Sequence, residues 1–150
     1  MSDINTLTSA LQQAGMRITP QRVAICELLT DVHDHPTAAM IYDDLKPRFA
    51  SLSLATVYNT LDALVQLGVV NALGHAGDDT VHYDADTEPH VNLACISCCK
   101  IIDIESEHVA HLDAEITTAS GYKLLGARVL YYGLCPQCQK KQAGTTARKK

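Results

Sequence analysis

The sequence predicts an α+β chain: a first half of helices closed by a β-hairpin, then a smaller second half that alternates strands with one helix. Three observations predict it. Apolar residues recur at helical spacing up to Leu67, punctuated by capping residues and helix stops. Two short apolar runs then flank a glycine-containing turn. Beyond an acidic, proline-containing stretch at residues 84–89 the period changes to alternation, and two Cys-x-x-Cys pairs bracket that second half.

Each element follows from local chemistry. Ile4, Leu7, Leu11 and Ala14 form one helical stripe, and Gly15 stops it. Thr19 is an N-cap with Pro20 at the first helical position, where its missing N–H is harmless. Val23, Ala24, Ile25, Leu28 and Leu29 give that helix its buried stripe, and Cys26 lies beside it as a small core residue. His35-Pro36 breaks the chain, and Thr37 caps a third helix carrying Met40, Ile41 and Leu45. Ser53 caps a fourth, over residues 53–67, with apolar positions Leu54, Val57, Leu61, Leu64 and Val65 and Gly68 at its end. Residues 69–73 and 80–83 read as strands around a turn at 74–79. Helices followed by a hairpin is the order of a winged helix-turn-helix, whose recognition helix would be the fourth. In the second half, Val91–Cys95 and residues 100–104 read as strands, 106–119 as a helix and 122–134 as one long strand. A cysteine-rich turn and a basic tail from Lys140 to Lys150 end the chain. The expected division is a winged-helix domain over 1–84, a hinge over 85–90 and a small α/β domain over 91–150.

Composition bounds what the chain can do. Apolar residues make up 47% of 150 with no Trp, enough for an aliphatic core. Halves this small bury a low fraction of their surface, so each needs a staple or a partner. No run of 18 apolar residues exists, and the acidic N-terminus is unlike a secretory leader, so a cytoplasmic protein without a membrane span is expected. There, six cysteines are ligands or redox groups rather than disulfides. Net charge is −5, and residues 1–83 set only Arg17, Arg22, Lys46 and Arg48 against nine acids. Any nucleic-acid contact must therefore come from local placement, not from a general basic field.

Cys95-x-x-Cys98 and Cys135-x-x-Cys138 carry the strongest chemical signal. Each pair sits in a turn at a strand end, where two thiolates can converge on one tetrahedral ion. Two pairs complete a closed shell, which makes the ion a structural zinc whose binding energy counts as folding energy. The competing reading is a dithiol oxidoreductase using Cys95/Cys98, and the matched second pair favours zinc over it. A zinc-ribbon interaction module without sensing is a further alternative. Cys99 is a spare thiol. No hydrolase triad, P-loop or dinucleotide fingerprint is present, which argues against an enzyme and against a small organic substrate.

Further strings carry a resemblance. Arg17-Ile-Thr-Pro-Gln-Arg22, His35-Pro-Thr and Ser53-Leu-Ala-Thr-Val-Tyr-Asn-Thr60 resemble the DNA-binding half of ferric uptake regulator proteins. His90 ahead of the first cysteine pair, Lys100-Ile-Ile-Asp103 and Tyr132-Gly-Leu-Cys135 resemble the dimerisation half. The likeness runs in order from about residue 10 to 141. It implies a homodimeric repressor that binds palindromic operators in double-stranded DNA when loaded with metal. It also implies a regulatory Fe(II) or Mn(II) site at His35, Asp84, His90, Asn92 and Asp103. Asp103 stands where iron-uptake sensors usually carry Glu, and no histidine-rich second site exists around Leu125-Gly126-Ala127. Both features resemble the peroxide-sensing branch, in which bound iron oxidises a ligand histidine, here His35 or His90; an iron- or zinc-uptake regulator is the alternative within the family. Asn92 departs from the family histidine. An amide oxygen is the weaker ligand for Fe(II) or Zn(II), which leaves open a weak site, a preference for manganese-like ions, or recruitment of Glu88 or His82. For DNA, the resemblance points to Ser53, Thr56, Tyr58 and Asn59 on the fourth helix, Asn59 reading adenine in the major groove, with Arg17 toward an A·T-rich minor groove and Arg22 on phosphate. His33, His75, His108 and His111 read as surface residues.

Overall fold

The structure, a computed structural model, describes residues 2–31, 35–74 and 79–148. His33, His75 and the last two lysines of the expected basic tail lie outside the described residues. Four helices come first: α1 (Ile4–Gln13), α2 (Pro20–Asp31), α3 (Ala38–Leu45) and α4 (Leu54–Gln66). Their starts are fixed by side chains that take up otherwise orphaned N–H groups. Asp3 accepts from Thr6 N, Thr37 from Met40 N and Ser53 from Thr56 N. Thr19 accepts from Arg22 N at 3.3 Å. The apolar stripes meet in one core: Leu7, Leu11, Ile25, Ile41, Leu52, Val57, Leu61 and Leu64 are all at most 1% exposed. Leu54, expected on the buried stripe, is instead 41% exposed. It is the first residue of α4, and the helix turns that position away from the core that Val57 and Leu61 enter.

The hairpin follows as β1 (Asn71–Leu73) and β2 (His82–Asp84), antiparallel with Asn71 opposite Asp84. Strand pairing is shorter than the apolar runs suggest and slides one residue onward to take in Asp84. A third segment lies along β2. Thr37 bridges to His82, and Tyr83 N donates to the Pro36 carbonyl at 3.0 Å. The His35-Pro36-Thr37 break is thus laid beside the wing.

The second half is a three-stranded sheet in the order β4-β3-β5, built from β3 (Val91–Cys95), β4 (Ile101–Ile104) and β5 (Val129–Gly133). β3 pairs antiparallel with β4, setting Asn92 opposite Asp103, and parallel with β5. α5 (Glu107–Ser120) connects β4 to β5 and ends on Gly121 at φ 70°, a left-handed cap that suits glycine. The expected long strand over 122–134 is corrected to β5 alone. β3 is only five residues long, so it can pair with five residues of its neighbour, and residues 122–128 run as irregular chain. The expected cysteine-rich turn and basic tail is likewise corrected to a helix, α6 (Pro136–Arg148). Pro136 takes the first helical position, and the Cys135 sulfur accepts the Cys138 N–H at 3.4 Å as a cap would.

Little is buried around this sheet: Leu73, Ala94 and Ile101 form its small core, with Leu130 packed against them. Leu73 belongs to the wing, so the small core also joins the two halves, as does Arg128, which donates to the Ala72 carbonyl at 3.1 Å.

Candidate metal centres

Two clusters of metal-ligating side chains stand out among the described residues. The first is Cys95, Cys98, Cys135 and Cys138, whose four sulfurs all lie within 4.8 Å of one another. Cys95 ends β3, Cys98 closes the turn toward β4, Cys135 follows β5, and Cys138 lies one turn into α6. A Zn–S bond of about 2.3 Å implies sulfur–sulfur edges of roughly 3.8 Å in a tetrahedron, and Cys98 and Cys135 stand 4.0 Å apart. The thiols do not ionise alike. N–H groups of Cys135, Cys98 and Ser97 aimed at Cys95 bring its thiol down to about 6. Cys138 accepts from the Ser97 hydroxyl, which lowers it, but the sulfurs of Cys135, Cys95 and Cys98 together with burial push it up to about 11. The first thiolate forms readily and the last is opposed by its neighbours, a set that a dication completes. This donor set fits zinc and closes its shell.

The second cluster is His35, Asp84, His90 and Asp103, with ligand atoms again within 4.8 Å of one another. His35 Nε2 lies 2.8 Å from Asp103 Oδ1 and 3.5 Å from Asp84 Oδ2, and His90 Nε2 lies 2.9 Å from Asp84 Oδ2 and 3.5 Å from Asp103 Oδ1. Asn92, 2% exposed, completes it from β3: one end of its amide sits 3.1 Å from His35 Nε2, 2.9 Å from Asp103 Oδ1 and 3.3 Å from Asp84 Oδ2. All five sequence-predicted residues are therefore brought together. His35 and Asp84 come from the helical half and its wing, Asn92 and Asp103 from a cross-strand pair of the second sheet, and His90 from the junction.

Backbone contacts aim these rings. His90 Nδ1 donates to the Glu88 carbonyl at 2.7 Å, which turns Nε2 into the cluster. His35 sits at φ 45°, a left-handed conformation rare for a side chain with a β-carbon, while its carbonyl accepts from His82 Nδ1 at 2.8 Å. Asp84 Oδ1 accepts the Asp86 N–H at 2.9 Å, leaving Oδ2 to the histidines. His82 and Asp86 are thus orienting residues that sequence reasoning did not assign. For His82 the signal was its two-residue spacing from Asp84 on one strand. The His82 ring turns its Nδ1 to the His35 carbonyl, and Glu88 is exposed.

Charge in the cluster is finely opposed. Burial pulls the His35 imidazolium down, but the hydrogen bond and charge of Asp84, with Asp103, outweigh it and hold His35 above the usual imidazole value. His90 is raised in the same way, against burial, by the Glu88 carbonyl and by Asp84, Asp103 and Asp86. Burial lifts Asp84, yet His35, the Asp86 N–H and His90 bring it below the ordinary carboxyl value. Asp103 is raised, by burial first and by Asp84, against the pull of His35. Protons on the imidazoles here do what a cation would do. Two imidazole nitrogens, two carboxylates and an amide fit an ion of the Fe(II) or Mn(II) class.

The residues proposed for DNA form a different face. Ser53, Tyr58 and Asn59 are exposed on α4, opposite the buried Val57, Thr60, Leu61 and Leu64. Thr56 is half-buried and its hydroxyl is engaged with Ser53 Oγ at 2.9 Å. Arg17 is exposed just ahead of α2. The Arg22 guanidinium folds back onto the Arg17 carbonyl and its Nε is buried, which braces the loop carrying Arg17.

A winged-helix module and a small sheet, with one closed thiol cluster and one mixed cluster shared between them, define a two-metal protein of modular build. The Ferric uptake regulator family model matches residues 13–132, and the chain belongs to that family. It is 37% identical over 133 residues to the peroxide-responsive repressor PerR of Staphylococcus aureus, covering 89% of each chain. It is also similar to the solved PerR of Streptococcus pyogenes, at 38% identity and a TM-score of 0.53, covering 93% of this chain and 95% of that one. The ferric uptake regulator of Pseudomonas aeruginosa with manganese superposes with a TM-score of 0.69 at 26% identity, covering 86% and 97%.

Proposed function

We propose that the chain is a metal-dependent transcriptional repressor that grips operator DNA as a homodimer and releases it in response to peroxide. One observation carries this: the mixed cluster takes His35 and Asp84 from the half that bears α4, and Asn92 and Asp103 from the other half. An ion there ties the two halves, and its affinity difference between poses sets how far it shifts DNA binding. The likeness to peroxide-responsive repressors supports the sensing branch. So does Asp103, and so does Ala127 in a segment without histidines. In this reading residues 1–84 form the DNA-binding domain, 85–90 the hinge and 91–150 the dimerisation domain, and the protein works in the cytoplasm. No helix among the described residues is long and apolar enough to cross a membrane.

Each part of the chain has its task. Cys95, Cys98, Cys135 and Cys138 hold the structural zinc and staple the turn between β3 and β4 to the start of α6. α5 buries only Val109 and leaves Leu112 and Ile116 46% and 42% exposed, and Leu93, Ile102 and Tyr131 of the sheet are exposed as well. So much open apolar surface around a minimal core supports pairing with a second copy. Two copies of α4 then present Tyr58 and Asn59 to successive major grooves, which suits a palindrome, while Arg17 suits a narrow A·T-rich minor groove. A bound Fe(II) supplies one-electron chemistry toward peroxide. His35 and His90 are the oxidisable side chains with a ring nitrogen in the cluster, and an oxidised ring no longer offers that nitrogen as a ligand. The dithiol-oxidoreductase reading is weaker, because Cys95 and Cys98 share their cluster with a second pair.

Fluorescence anisotropy on a promoter-derived duplex, with the zinc intact, tests this. Adding Mn(II) should tighten binding by about tenfold or more, the usual range of allosteric coupling. Equal affinity with and without the ion would overturn the reading. Mass spectrometry of the iron-loaded protein after peroxide tests the branch: one added oxygen on His35 or His90 supports peroxide sensing, and oxidation confined to cysteines favours an uptake regulator.

A further inference from the structure

We propose that Asn92 selects the ion: its amide oxygen is the fifth ligand of the mixed cluster, biases that cluster toward Mn(II) and against Zn(II), and turns away when the ion leaves. The inference rests on reading the cluster as the regulatory site and goes beyond it by assigning selectivity to one side chain.

Burial comes first. Asn92 is 2% exposed and is fixed on β3 directly across from Asp103, so its amide cannot retreat to water. Buried amides must find partners for both ends. The end that faces the cluster meets His35 Nε2, Asp103 Oδ1 and Asp84 Oδ2. With nitrogen there, the amide's two hydrogens go to the carboxylate oxygens Asp103 Oδ1 and Asp84 Oδ2, at 2.9 and 3.3 Å, and the other end is also satisfied. With oxygen there, it faces the oxygens of two carboxylates, Asp103 and Asp84, and the outer NH2 meets only donors. A divalent cation at that point offsets both carboxylates and makes the oxygen-inward orientation favourable. The amide is therefore a two-position element, nitrogen inward without the ion and oxygen inward with it. Turning it over is work that binding must perform, which lowers the apparent affinity for every ion.

The same oxygen discriminates among ions. Zn(II) gains most from imidazole and thiolate donors and favours four ligands, whereas Mn(II) accepts oxygen donors and larger shells. With an amide at this position the cluster has three oxygen and two nitrogen ligands. A protein that already holds zinc on four cysteines gains by rejecting it here, because the regulatory ion then reports something other than zinc supply.

Equilibrium competition against a fluorescent chelator tests this on the full-length dimer carrying its cysteine-bound zinc. Mn(II) and Zn(II) are titrated into the second site of the wild type, Asn92→His and Asn92→Leu, with circular dichroism and zinc content checking the fold. Asn92→His should tighten Zn(II) by about tenfold or more and Mn(II) by much less, since it adds imidazole and removes the turnover. Asn92→Leu, which keeps the volume without the oxygen, should weaken Mn(II) by about tenfold. If Asn92→Leu binds Mn(II) like the wild type, or if Asn92→His tightens both ions equally, the role of Asn92 is overturned while the regulatory site stands. If the wild type binds no second ion at all, the regulatory-site reading itself fails, and this inference with it.

Discussion

At the scale of single residues, the six cysteines divide by environment. Cys26 lies at 0% exposure among Ala24, Ile25 and Leu29, and burial, with a smaller push from Glu27, lifts its thiol to about 11. It is thus un-ionised at neutral pH and inert. Cys95, Cys98, Cys135 and Cys138 are engaged once zinc is bound. Cys99 remains outside the thiol cluster, half-buried, and sits at φ 62° in the turn after Cys98. Iodoacetamide at pH 8 should label Cys99 first in the native zinc-loaded protein, leaving Cys26 unmodified until the chain unfolds. Peptide mapping that found Cys26 labelled as fast as Cys99 would contradict the packed helical core. Within the mixed cluster, His35, Asp84, His90, Asn92 and Asp103 are legible in the sequence through the family resemblance, but their convergence depends on His35-Pro36-Thr37 lying along β2, a tertiary pairing that no local spacing encodes.

At the scale of elements, legibility depends on which forces are local. α2, α3 and α4 begin where Thr19, Thr37 and Ser53 stand, because a cap is a contact between residues three apart and so is written in the sequence. The strand expected over 122–134 shrank to β5 because strand length is set by the partner, and β3 offers only five residues. α6 is not legible in the sequence because its lysines, glutamines and threonines show no apolar period, and Pro136 with the Cys135 sulfur starts it instead. Capping makes a quantitative prediction: Ser53→Ala should destabilise the protein by about 1 kcal/mol, since it removes the acceptor for Thr56 N. Asn59→Ala, on the exposed face of the same helix, should leave chemical denaturation unchanged and weaken operator binding. A second prediction concerns α5. Replacing the exposed Ile116 by glutamate puts a charge on the face left for a partner, so size-exclusion chromatography with light scattering should show monomers. Thermal unfolding of the helical half should change little, because its core of Leu7, Ile25 and Leu61 lies elsewhere.

At the scale of the whole molecule, the two clusters do opposite things. The thiol cluster lies wholly within the second half, so its ion adds to stability there. The mixed cluster spans both halves, so its ion adds to stability and also to pose, and protons compete for it. Without metal, Asp84 and Asp103 hold His35 and His90 protonated to higher pH than ordinary imidazoles. That contribution to stability is fully present below the unfolded imidazole value, near 6.5, and disappears as pH rises through the raised folded values. A divalent ion needs the same two nitrogens unprotonated. At pH 6 it must displace protons that already stabilise the fold, and at pH 8 it replaces a contribution that is gone. The depressed Asp84 titrates in acid, below this window, and leaves the sign unchanged. The rise in melting temperature produced by Mn(II) should therefore be clearly larger at pH 8 than at pH 6, with the cysteine-bound zinc present throughout. In His90→Ala the shift should be small at both values. A wild-type shift that stayed constant or grew toward pH 6 would mean that the ion binds away from the imidazoles, and the link between the two halves would have to be sought elsewhere.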